Sequence, residues 1–181
     1  MRISNFIDTI LELINLMTLT YRTATVADIP QLLQLGLVSY GTFQNILTED
    51  NWAKLHGNLS NENVYWDLLN KSTCFLCIAD QKIVGMAFFV PNGNPTEIYE
   101  FDWCYVRMVG VHPDFGGRGI GKALMQKCIS TAKETNEKTV ALHTSEFMDA
   151  ARHIYENMGF KKVRQLESRF GKIYWLYTLK L

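Results

Sequence analysis

The sequence predicts an α/β (α+β) domain, and three observations carry that prediction. Apolar runs of strand length alternate with segments of helical periodicity from Leu19 to Leu179. A glycine-rich turn, Gly116 to Gly121, joins an extended run to a long amphipathic helix. The composition is that of a globular chain: 181 residues, 48% hydrophobic and 20% charged, with 18 Lys+Arg against 18 Asp+Glu. Collagen, coiled-coil rod and disordered tail are excluded. A formal charge of zero offers no global field to nucleic acid, so no nucleic-acid partner is expected and any anion site must be local.

The elements follow in order. A strand over Leu19–Ala24 leads to Thr25 as N-cap, with Asp28 at the third helical position in a capping-box arrangement, and a helix to about Val38. Tyr40 to Lys71 reads as one or two short helices whose aromatics, Phe43, Trp52, Tyr65 and Trp66, fill core or line a substrate pocket. Thr73–Ala79, the turn Asp80-Gln81-Lys82 and Ile83–Val90 form a hairpin. Asn92-Gly93-Asn94-Pro95 breaks the chain, and an extended run over Ile98–Val111 ends at His112-Pro113. The helix Ile120–Thr135 follows, then a strand over Val140–Thr144, a helix from about Met148 to Met158 closed by Gly159, and strands Phe160–Leu166 and Ile173–Leu179.

The N-terminus stands apart. Ile3, Phe6, Ile7, Ile10, Leu11, Ile14 and Met17 repeat at helical spacing, while Asp8 and Glu12 exclude a signal sequence or membrane span. Residues 1–16 are expected to form an amphipathic helical extension to a single domain over 17–181. Its apolar stripe would pack on that domain or, through residues 3–17, on a second copy in a homodimer; Met17 as the true start is the other reading. Four cysteines and no secretion signal point to a reducing cytoplasm. Cys74 and Cys77 form a CxxC inside a strand, where odd spacing sends them to opposite faces, and no metal site is expected.

The glycine turn reads as an anion cradle. Glycines allow positive φ and close backbone approach, so consecutive N–H groups can converge on phosphate oxygens at a helix N-terminus, with Arg118 and Lys122 adding local charge. A dinucleotide fingerprint fails, because Lys122 and Leu124 stand where its last glycine belongs. A P-loop fits as Gly116-x-x-x-x-Gly121-Lys122, but Ala123 replaces the magnesium-holding hydroxyl, leaving a nucleotide-binding protein as a lesser alternative.

Val109-Gly110-Val111-His112-Pro113 followed by Gly116-Gly117-Arg118-Gly119-Ile120-Gly121 resembles motif A of the GCN5-related N-acetyltransferases, with Gly116 in place of that family's leading Gln or Arg. Ala151, Tyr155, Glu156, Gly159 and Phe160 resemble a second family motif, with Met148 where an Asn is often found. The resemblance implies a mixed, mostly antiparallel central sheet of six to seven strands with helices on both faces, splayed between Ile98–Val111 and Val140–Thr144. It implies acetyl-CoA as cosubstrate, with the pyrophosphate on the turn (Gly116, Gly117, Arg118, Gly119, Ile120, Gly121, Lys122) and the pantetheine arm pairing with Val109 and Val111.

The implied reaction is direct transfer of an acetyl group to a primary amine, on a small molecule or a protein. The Val109 amide would polarise the thioester carbonyl, and Tyr155 would protonate the leaving thiolate. Glu100 and Asp102, on one face of the central strand, are the candidate bases, with Tyr105 acting through water. His143 faces the same region, and Glu100, Asp102 and Glu146 suit a cationic amine. A non-catalytic acyl-CoA-binding module is the alternative from another class.

Overall fold

The computed structural model describes residues 18–181; the expected helix over 1–16 and the dimer contact through 3–17 lie outside the described residues. Strands β1 (Thr20–Thr23), β2 (Thr73–Ala79), β3 (Lys82–Val90), β4 (Cys104–Val111), β5 (Thr139–Ser145), β6 (Lys161–Arg169) and β7 (Lys172–Lys180) form one sheet in the order β1-β2-β3-β4-β5-β7-β6. Helices α1 (Ile29–Gly41), α2 (Glu49–Leu59), α3 (Glu62–Lys71), α4 (Ile120–Glu134) and α5 (Asp149–Asn157) connect them. All neighbours are antiparallel except β4 and β5, which run parallel and pair only at Cys104↔Val140 and Tyr105↔Ala141. Beyond Tyr105 the ladder stops, and this is the expected splay.

β3 is buried from Ile83 to Val90, as a strand covered on both faces must be. Val84, Ala87 and Phe89 pack with Leu124, Met125 and Cys128 of α4. On the other side Met86 and Phe88 pack with Ile29 and Leu32 of α1 and Tyr65 of α3. Gly85 lets α4 approach: a Cβ there would lie 2.6 Å from Ile120 Cγ2. Cys74 and Cys77 fall in opposite layers, as the alternation of a strand dictates. The expected cap also forms. Thr25 donates its N–H to Asp28 Oδ2 at 2.8 Å, Arg22 grips both carboxylate oxygens at 2.7 Å, and a single 3₁₀ turn precedes α1.

The extended run expected from Ile98 begins only at Cys104. Thr96 Oγ1 accepts the amides of Ile98 and Tyr99, while Gly93 N–H donates to Phe101 O and Trp103 N–H to Glu100 O. Backbone groups satisfied locally have no need of a ladder. Glu100 and Asp102 therefore sit exposed in a turn rather than on one face of β4. The β2–β3 turn holds two residues, Asp80 and Gln81, with φ of 47° and 63°, which suits the twist of a tight hairpin. A second such turn at Phe170 and Gly171, φ 53° and 69°, lets β6 and β7 run longer than expected.

Candidate active site

The splay opens a cleft of about 700 Å³ between α4 and α5. Val109, Val111, Gly116, Gly117, Gly119, Ile120, Gly121 and Lys122 line it. Gly117 and Gly119 hold φ of 74° and 76°, and a Cβ at either would meet no atom of the described residues within 4 Å, which leaves room for a ligand in front of them. Ala123 donates the first helical bond, to Gly119 O at 2.9 Å, leaving the amides of Ile120, Gly121 and Lys122 without intrahelical acceptors. Two residues depart from expectation. The Gly116 amide is committed to Pro113 O at 2.9 Å, and Arg118 does not line the cleft but lies 4.9 Å over the Phe115 ring. Thr144 in the cleft wall keeps a buried hydroxyl without a partner among the described residues.

A β-bulge divides β4. Arg107 pairs with Phe88 and Gly110 with Met86, so Met108 and Val109 together oppose Ala87, and Met108 takes φ 50°. Val109, Gly110 and Val111 line the cleft just described, whereas Arg107 and Met108 line a second cavity of about 600 Å³. That cavity lies between α2, which contributes Lys54 and Asn58, and the β6–β7 hairpin tip, which contributes Arg169 and Phe170. The tip leans on the helix: a Cβ on Gly171 would lie 2.8 Å from Asn51 Nδ2.

The two cavities share Tyr40, His143 and Met148. Arg169 Nη1 lies 3.3 Å from His143 Nε2 and can only donate, so Nε2 accepts and the ring proton sits on Nδ1, donated to Tyr99 Oη at 2.6 Å. Burial, with the positive charges of Arg169 and Arg107, pushes the His143 pKa down to about 3, so the imidazole is neutral. Tyr155 lines the first cleft at 6% exposure. Burial, the largest cause, pushes its pKa far above the ordinary value, keeping the proton on oxygen. Burial also pushes Tyr40 up to about 12.

Glu100, Asp102 and Glu146 line neither cavity. Glu146 instead accepts the Ile173 amide at 3.1 Å. Among the described residues the one carboxylate lining either cavity is Asp149, bound to Arg152. Lys54, Arg169 and Tyr174 carry no motif and reach the site from distant elements; Arg107 shares the strand with Val109, but the bulge, which alternation does not reveal, turns it to the other cavity. Among the described residues no group of His, Cys, Asp or Glu is assembled to hold a metal ion, and no helix is long and apolar enough to cross a membrane.

A splayed mixed sheet with a glycine cradle on one side of a bulged strand and a second cavity on the other is the fold of an acetyltransferase-family domain. The match of residues 42–160 to the Acetyltransferase (GNAT) family is of the same class, and the chain belongs to that family. It is 27% identical to the uncharacterized N-acetyltransferase MJ1207 of Methanocaldococcus jannaschii over 84% of this chain and 65% of the relative. It is 31% identical to the probable N-acetyltransferase camello of Xenopus laevis over 67% of this chain and 57% of the relative. The alignments thus span under two thirds of those relatives' lengths. The crystal structure of the PaiA N-acetyltransferase from Thermoplasma acidophilum in complex with coenzyme A superposes with a TM-score of 0.72 at 14% identity, covering 91% of this chain and all of that one. With that fold, the P-loop alternative is set aside.

Proposed function

We propose that this chain transfers an acetyl group from acetyl-CoA directly to a primary amine, within a ternary complex. The observation that carries the proposal is the meeting of two cavities at Tyr40, His143 and Met148, one of them lined by a glycine cradle at a helix N-terminus. The orphaned Thr144 hydroxyl and the open space before Gly117 and Gly119 fit an extended phosphate-bearing ligand. Bound acetyl-CoA supplies the thioester, whose carbon–sulfur bond breaks as the amine nitrogen takes the acetyl group. The amides of Gly117 to Lys122 hold its phosphates. The Val109 N–H polarises the carbonyl, and the bulge beside it leaves that backbone out of step with β3. Tyr155, held protonated by burial, gives its proton to the leaving sulfur, and the proton lost by nitrogen passes through water to restore it. With Glu100 and Asp102 outside both cavities, the amine sheds its proton to solvent, and the charges of Arg107, Arg169 and Lys54 favour its neutral form.

Thiol release from acetyl-CoA across a panel of amines tests the reading. Tyr155→Phe should lower kcat on the order of 10²-fold, with the KM for acetyl-CoA little changed. An unchanged kcat would remove the acid role of Tyr155. Stabilisation by CoA without thiol release on any amine would make the chain an acyl-CoA-binding module, and stabilisation by Mg·ATP alone would overturn the acetyl-CoA assignment.

A further inference from the structure

Three cationic side chains, Lys54 on α2, Arg107 on β4 and Arg169 at the end of β6, line the second cavity, and among the described residues no carboxylate does. None of the three forms an ion pair among the described residues. Arg107 is the informative one, because it is partly buried in the cavity wall and yet has no anionic or hydrogen-bonding partner among the described residues. Both guanidinium charges are felt at His143, at the junction with the donor cleft. Cations gathered in a concave, partly desolvated site repel one another unless an anion joins them. Asn51, Asn58 and Ser168 add neutral hydrogen-bonding groups to the same lining.

We propose that the acceptor is an anionic amine: a small molecule whose oxyanion is held by Arg107 and Arg169, with Lys54 adding charge, while its amine points past His143 toward the donor cleft. The proposal rests on the acetyl-transfer reading and refines it. It replaces the cationic acceptor expected from Glu100, Asp102 and Glu146 with the opposite charge. The guanidinium fork pairs bidentately with carboxylate or phosphate, so the shared chemistry is a planar or tetrahedral oxyanion within one small molecule's reach of a primary amine. The same three charges oppose an ammonium, so they hold the anion and help unmask the nucleophile at once.

The test is thiol release from acetyl-CoA with glycine, glycinamide, aspartate, glutamate, O-phosphoethanolamine and spermidine. The expected result is a kcat/KM for at least one oxyanion-bearing amine that is tenfold or more above glycinamide and spermidine, and the carboxylate and phosphate arms identify the source of the anion. Arg107→Gln and, on the exposed hairpin end, Arg169→Gln should each raise the acceptor KM about 10–100-fold while leaving the acetyl-CoA KM within a factor of about two. Preference for glycinamide or spermidine, or an acceptor KM indifferent to both substitutions, overturns the anionic acceptor and leaves acetyl transfer standing. If no amine releases thiol, acetyl transfer falls instead. The ligand class is then read by melting in the presence of CoA: a rise in Tm with an oxyanion-bearing amine that Arg169→Gln abolishes supports it, and no rise overturns it.

Discussion

Replacing His143 with glutamine should flatten the acid side of the protein's stability profile. In the folded chain burial and the charges of Arg169 and Arg107 hold the imidazole pKa down to about 3, against an ordinary 6.5. The depressed value favours the neutral ring, so its contribution is complete above pH 6.5 and is lost as pH falls from there toward 3, where the unfolded chain takes up a proton that the folded chain refuses. The slope is about 1.4 kcal/mol per pH unit, so by pH 5 the loss reaches about 2 kcal/mol, an upper bound because the ring stands where two cavities meet and water reaches it. For a chain of this length that corresponds to a fall in Tm of roughly 4–8 °C. Glutamine keeps one acceptor and one donor for Arg169 and Tyr99 but cannot be charged. Melting curves of both proteins at half-unit steps from pH 7.5 to 5 make the comparison. The advantage of the native chain at neutral pH should shrink as the medium is acidified, and parallel profiles would refute a buried neutral His143.

Two further substitutions probe the scaffold and the cradle. Asp28, with its pKa lowered to about 2 chiefly by the Arg22 hydrogen bonds, contributes stability above pH 3.8 that disappears as pH falls toward 2; Asp28→Asn should cost about 2 kcal/mol at pH 7 in chemical denaturation and nothing near pH 2. Gly119→Val forces a β-branched residue to φ 76° and should cost about 1–2 kcal/mol of stability, while the rise in Tm on adding CoA is abolished because the new methyl groups enter space that no protein atom fills. Retention of the full CoA-dependent rise would show that the cradle binds elsewhere.

The glycine-turn cleft was legible because its structure is local. A run such as Val109 to Lys122 carries its strand, turn and helix start within a few turns of chain, and glycine is the visible mark of a positive φ. β2 spans the expected residues and β3 begins one residue early, since continuous apolar runs identify buried strands. The second cavity was not legible. Lys54, Arg107 and Arg169 come together only when the β6–β7 hairpin leans on α2, a contact without local signature, and the carboxylates that suggested a cationic acceptor were drawn away by turn hydrogen bonds at Thr96 and Ile173. The bulge itself escaped because its positive φ falls on Met108, a residue type that gives no warning of one.

That single extra residue makes β4 two short strands spliced out of phase. A one-residue slip inverts the face each side chain presents, so deleting Met108 would turn Val109, Gly110 and Val111 over and away from the cleft they line. While the splice is kept, position 107 can change without disturbing the peptide groups that begin at 109. One strand can therefore diversify what lines the space beneath the hairpin while its other half keeps a fixed set of peptide groups beside the glycine turn.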